Sequence, residues 1–166
     1  MTKNPVPGIR FATKDDIPSM VNLRRELLEY ERKVPLDDED IIAIEQFYKE
    51  TWDGSNPAYF VCASGKKLLG HVACTMFPAM PSAKNPSGLC AYVFDVSVTA
   101  TERGKGIGRA LMKKLLQYCK EQGVGYIALD ATYLGEPLYR SLGFTEPKNI
   151  FLDLWKEQLD LIDLSG

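Results

Sequence analysis

The run from Leu89 to Leu111, "LCAYVFDVSVTATERGKGIGRAL", constrains the fold more than any other part of the chain. Leu89 to Val98 is rich in β-branched and aromatic side chains, the composition of a long, largely buried strand. Beyond it Ile107, Leu111, Leu115 and Cys119 recur every four residues, so a helix runs to about Gln122 and stops at Gly123. A strand that passes through glycines straight into a helix presents unpaired backbone N–H groups at the positive end of the helix dipole, which is a ready anion site. Arg103, Gly104, Lys105, Gly106, Ile107, Gly108 and Arg109 are its candidate ligands, the glycines letting an anion approach the backbone and the cations adding charge. A tight turn with solvated basic residues is the bland alternative. The coincidence of three glycines, three cations and the right flanks favours a phosphate-bearing ligand.

Spacing removes two familiar phosphate sites. A P-loop needs G-x-x-x-x-G-K-[ST], which Gly104 and the residues after it do not supply. A dinucleotide fingerprint starting at Gly104 needs glycine where Arg109 stands, and one starting at Gly106 needs glycine where Leu111 stands.

The rest of the chain supplies a sheet. "IRFAT" reads as a short strand, followed by a helix carrying Ile17, Met20, Val21, Leu27 and Leu28, with Pro18 in its first turn and Asp15 as its cap. "PLDDED" opens a second helix with Ile41, Ile44 and Tyr48 on one face. "AYFVCAS" and "KLLGHVACTMF" form a hairpin around "GKK", and the proline-rich Pro78 to Gly88 is a loop. "YIALDAT" is a strand, "GEPLYRSLGF" a short helix and "IFLDLW" a last strand before an acidic tail. Adjacent strands in the middle of the chain predict an α/β protein of the α+β type, with a mixed, mostly antiparallel sheet rather than a doubly wound parallel one.

At 166 residues with 45% hydrophobic composition, the chain has the size of one domain, spanning 1–166. A net charge of -2 gives no reason to expect nucleic acid. No secretory signal and no apolar stretch of membrane-spanning length is evident, so the chain reads as cytoplasmic with no membrane partner. Cys62, Cys74, Cys90 and Cys119 include no C-x-x-C pair, and with a single histidine, His71, no metal site is expected. The cysteines read as small apolar residues in strands and a helix.

"VTATERGKGIGRAL" resembles the signature of the GNAT N-acetyltransferase superfamily, V-x-x-x-x-R followed by G-x-G-x-G/A, and "PLYRSLGF" resembles that family's second motif. The order of elements matches from end to end. The resemblance implies a GNAT-like fold with helices on both sheet faces, splayed between the strands at 89–98 and 125–131. It implies acetyl-CoA as cosubstrate, its pyrophosphate on the glycine turn and its pantetheine arm along Val96, Ser97 and Val98. It also implies Tyr139 as the general acid. The activity implied is acetyl transfer to a primary amine by direct attack.

Such a reaction must deprotonate the amine, stabilise charge on the carbonyl oxygen and protonate a departing thiolate. Tyr139 can give that proton, and a backbone N–H of "FDVSV" can hold the oxyanion; a core aromatic and plain sheet pairing are the respective alternatives. Asp95 is the candidate base, acting through water, or equally a satisfied polar residue in the sheet. Polyamine acetylases of the superfamily place a Glu–Asp pair there, and this chain has Phe94 in the Glu position. Asp130 is a second candidate. The resemblance implies acceptor specificity from Glu26 to Asp40 and from the Pro78 to Gly88 loop; the acidic residues of Glu26 to Asp40 attract a cationic amine or simply form a solvated helix face and a helix start. A small-molecule amine is the first acceptor expected, a peptide or protein amine the second. A non-catalytic acyl-CoA-binding module is the rival, and a homodimer is left open.

Overall fold

The computed structural model describes residues 7–53, 56–148, 154–159 and 161–162. Five strands, β1 (Ile9–Phe11), β2 (Ala58–Ser64), β3 (Lys67–Pro78), β4 (Leu89–Val98) and β5 (Tyr126–Leu129), form one sheet in chain order. The helices are α1 (Ile17–Glu26), α2 (Asp38–Glu50), α3 (Ile107–Glu121), α4 (Glu136–Ser141) and α5 (Lys156–Leu159). The pairings from β1 to β4 are antiparallel and β4–β5 is parallel. A parallel neighbour needs a crossover rather than a tight turn, and α3 provides it.

Alternation along the strands sends their side chains to two cores. On one face Phe60, Val72 and Ala91 meet Ile107, Leu111, Met112 and Leu115 of α3. On the other, Tyr59, Val61 and Ala73 meet Met20 and Leu23 of α1 and Tyr48 of α2. Each fully buried aliphatic side chain contributes about 1.5–3 kcal/mol, so the i, i+4 stripe of α3 is what seats the glycine turn against the sheet. The helices thus lie on both faces, as the resemblance implied.

Two local devices shape β4. His71 pairs with Ser97 and Ala73 with Phe94, so Asp95 and Val96 together oppose Val72 alone, which is a β-bulge. Asp95 takes φ 55°, a left-handed conformation that aspartate tolerates better than most side chains. The parallel pairing with β5 ends at Val93 opposite Leu129. Among the described residues no strand lies beside that edge of β4 from Phe94 onward, and the sheet opens.

The helix starts follow from acidic side chains, with one correction. Asp15 does not cap α1. Its neighbour Asp16 accepts from the Thr13 backbone N–H at 2.7 Å and from its hydroxyl at 3.1 Å, and Arg10 grips the same carboxylate at 2.7 and 3.0 Å. Three residues of separation let a side chain fold back onto the turn, and Asp16, unlike Asp15, is buried against it. Asp37 and Asp40 form the same reciprocal box at the start of α2. Leu27, expected in α1, instead begins a π-turn, Leu27–Glu31, closed by the Arg32 N–H on the Leu27 carbonyl at 3.2 Å.

The expected strand "IFLDLW" falls mostly outside the described residues; Leu154 and Trp155 are exposed and lie in no strand. All four cysteines are buried and unbridged, with Cys74 and Cys119 sulfurs 4.0 Å apart. No helix among the described residues is long and apolar enough to cross a membrane, and no group of His, Cys, Asp or Glu there is placed to hold a metal ion.

Candidate active site

The opening of the sheet becomes a cavity of about 800 Å³. Its walls come from α1 and its π-turn, the second half of β4, the glycine turn, the end of β5 and α4. Every candidate catalytic or cofactor-binding residue from the sequence lines it except Ser97 and Lys105. Ser97 is buried and turned the other way, its hydroxyl 3.1 Å from His71 Nδ1.

The glycine turn is built by backbone conformation. Gly104 and Gly106 have φ of +76° and +90°, and a Cβ at either would meet nothing within 4 Å. Glycine is needed for the left-handed geometry, and the space over the turn stays open. The first N–H groups of α3, which no carbonyl of the helix reaches, point out of Gly106–Arg109 with the helix dipole behind them. These amides can hold a pyrophosphate.

The cations around the turn are less free than the sequence suggests. Arg103 donates from Nε to the Val98 carbonyl at 3.0 Å, approaches Glu31 at 3.7 Å and lies 4.8 Å over the Tyr30 ring. Arg109 donates to Ser141 Oγ at 2.6 Å, and Lys105 pairs with Glu102 at 3.1 Å. Arg103 is therefore a strut from the turn to the π-turn.

Tyr139, on α4, is buried at 8% exposure and packs edge-on to Phe144. Among the described residues its hydroxyl has no hydrogen-bond partner, and the residue lines the cavity. Burial pushes its pKa up to about 12, with Glu31 adding to the rise and Arg32 opposing it. It stays protonated throughout the neutral range.

Asp95 is the opposite case. Its Oδ1 receives Arg24 Nη1 at 2.5 Å, its Oδ2 receives the Tyr48 hydroxyl at 2.6 Å, and His71 Nε2 stands 3.6 Å from Oδ2. Burial alone would raise its pKa, but His71, Arg24 and Tyr48 outweigh that and hold the carboxyl below the ordinary aspartate value. Both oxygens are committed, and the network ties α1, α2, β3 and β4 together.

Three further cavity residues, Tyr92, Arg24 and Arg32, lie outside the two sequence motifs. Tyr92 donates to Asp130 Oδ2 at 2.6 Å, bridging β4 and the end of β5 at the opening. Arg24 and Arg32 reach the cavity from α1 and the π-turn. Nothing in the Pro78 to Gly88 loop lines it. Antiparallel β4 begins at that loop and runs away from it, and the loop packs instead beside Gly123 and Gly125, where Ser87 Oγ reaches the Gly123 carbonyl at 3.3 Å.

This chain path recurs among solved structures, acetyltransferases among them. A predicted acetyltransferase from Clostridium acetobutylicum, crystallised with acetyl-CoA, superposes with a TM-score of 0.79 over 89% of this chain and 94% of its own, at 24% identity. The Arabidopsis thaliana glucosamine-6-phosphate N-acetyltransferase does so at 0.68 over 90% and 97%, at 18% identity. The chain belongs to the acetyltransferase (GNAT) family, whose family model matches residues 18–144. Among curated relatives, N-acetyltransferase family 8 member 2 of Rattus norvegicus is 31% identical over 108 residues, 63% of this chain and 46% of that protein. The chain spans about half the length, or less, of the curated relatives it matches.

Proposed function

We propose that the chain is an acetyl-CoA-dependent N-acetyltransferase that acetylates a primary amine of a small molecule by direct attack. The observation that carries this is the unpartnered Tyr139 hydroxyl, which faces the same cavity as the open glycine turn and the unpaired edge of β4.

Acetyl-CoA supplies an activated acetyl thioester. The amides of Gly106 to Arg109 bind its pyrophosphate, and the exposed edge from Phe94 to Val98 offers backbone N–H groups to the pantetheine arm and to the carbonyl oxygen as charge builds on it. Asp130, exposed and fixed by Tyr92, accepts the proton of the attacking amine. Tyr139 donates to the departing sulfur as the C–N bond forms and the C–S bond breaks. Asp95, with both oxygens bound, positions α1 against β4 rather than taking a proton.

The sealed Asp95 also favours a second reading, a non-catalytic acyl-CoA-binding module. Incubation with acetyl-CoA and a panel of amines, following free thiol, separates the two. Thiol release that requires an amine supports transfer; a rise in Tm with acetyl-CoA but no release with any amine supports the binding module.

A further inference from the structure

The charges around the cavity are nearly all spoken for. Arg24 is tied to Asp95 at 2.5 Å, Glu31 to Arg103 at 3.7 Å, and Arg109 to Ser141 at 2.6 Å. Arg32 is different. It lines the cavity, and among the described residues its guanidinium has no hydrogen bond or ion pair.

Its position is set by backbone. Its own N–H closes the π-turn on Leu27, Lys33 follows at φ 56°, and the Val34 N–H returns to the Leu28 carbonyl at 2.9 Å. The side chain therefore starts from a fixed point at the rim. Its charge is felt by two phenols, Tyr92 and Tyr139, each of which it makes more acidic than burial alone would leave it. Arg32, exposed at the rim, lines the same cavity as the proposed proton donor Tyr139 and the Tyr92–Asp130 pair.

The acceptor end consequently has two poles. Asp130 offers a carboxylate to an ammonium, and Arg32 offers an open planar fork of donors, whose geometry matches a carboxylate bidentately. A polyamine would meet Arg32 as a repulsive charge. We propose that the acceptor is an amine bearing its own carboxylate, an amino-acid-like zwitterion whose carboxylate is held by Arg32 while its amine faces Asp130 and the thioester. The proposal rests on the acetyl-transfer reading and names the substrate class of that site.

The test uses matched acceptors, free amino acids beside their neutral carboxamides and their decarboxylated amines, with thiol release as the readout. The acids should exceed their amides by about tenfold or more in kcat/KM, as expected for a charge-assisted pair at a partly exposed site. Arg32→Gln should bring that ratio to within about twofold by raising KM for the acid, with KM for acetyl-CoA unchanged, and Arg32→Lys should restore part of it. Amides as good as acids, equal loss for both in Arg32→Gln, or a raised KM for acetyl-CoA alone would each overturn the proposal while leaving acetyl transfer standing. Silence with every amine, while acetyl-CoA still raises Tm, would refute the transfer reading and this inference with it.

Discussion

Replacing Tyr139 with Phe removes one oxygen and little else. The ring keeps its edge-on contact with Phe144, 6.1 Å between centroids, and since the hydroxyl has no partner among the described residues, no orphaned donor or acceptor is left behind. Stability should change by no more than about 0.5 kcal/mol. The catalytic loss follows from acidity. A phenol held at about 12 is roughly 3.5 units weaker than a thiol near 8.5, so complete proton transfer to the departing thiolate costs about 5 kcal/mol. Tyr139 must therefore act mainly as a hydrogen-bond donor to the developing negative sulfur, worth about 1.5–3 kcal/mol. That predicts a fall in kcat of about 10- to 150-fold, with KM for acetyl-CoA nearly unchanged, measured by steady-state thiol release. The same raised pKa keeps Tyr139 protonated below about pH 11, so its ionisation should produce no alkaline loss of activity before that pH. An unchanged kcat in the variant, or a Tm lowered enough to account for the loss, would remove Tyr139 from the chemistry.

Other substitutions test the remaining parts. Gly106→Asp puts bulk and negative charge where the pyrophosphate is proposed to bind, so acetyl-CoA should no longer raise Tm; Gly106→Ala meets no atom within 4 Å and should cost only about 1–2 kcal/mol from its φ of +90°. Retained acetyl-CoA stabilisation in the aspartate variant would refute the assignment. Asp130→Asn should lower kcat at neutral pH by about 100-fold or more, with acetyl-CoA affinity retained, and full activity would return the amine's proton to solvent. Asp95→Asn keeps a residue suited to left-handed backbone but leaves Arg24 without its carboxylate, so it should cost about 3 kcal/mol by thermal unfolding. Because the folded pKa of Asp95 is depressed, its contribution is complete above the unfolded value of about 3.9 and lost as pH falls through the lower folded value; the Tm gap between wild type and variant should be full at pH 7 and close below about pH 4.

Much of this was legible from local pattern. Hairpin spacing marked β2 and β3, β-branched and aromatic composition marked β4, the four-residue repeat marked α3, and the join between strand and helix marked the anion turn, because each rests on neighbours in sequence. What escaped depended on distant partners. Charge on Arg103, Lys105 and Arg109 is visible in the sequence, but that Val98, Glu102 and Ser141 occupy their donors is not. The Arg24–Asp95 pair spans 71 residues, and no spacing rule links an α1 arginine to a β4 carboxylate. The Pro78 to Gly88 loop was assigned to the acceptor because it precedes β4; strand direction carries it to the far end. Arg32 reaches the rim only because α1 loosens into a π-turn, which the apolar repeat through Leu27 and Leu28 does not betray.

The bulge at Asp95 explains why one unreadable detail matters so much. An extra residue in one strand bends it and increases its twist, and here the bend falls within two residues of the point where β4 leaves β5. Holding a non-glycine residue at φ 55° costs about 1–3 kcal/mol, so the conformation persists only if something over-determines it. Arg24 from α1, Tyr48 from α2 and His71 from β3 do so by converging on the side chain that the bulge turns toward them. Asp95 is thus the pin at the point where the sheet opens. In the mechanism proposed above the chemistry falls to groups around that opening, the edge of β4 beyond Val93, Tyr139 and the Tyr92–Asp130 pair.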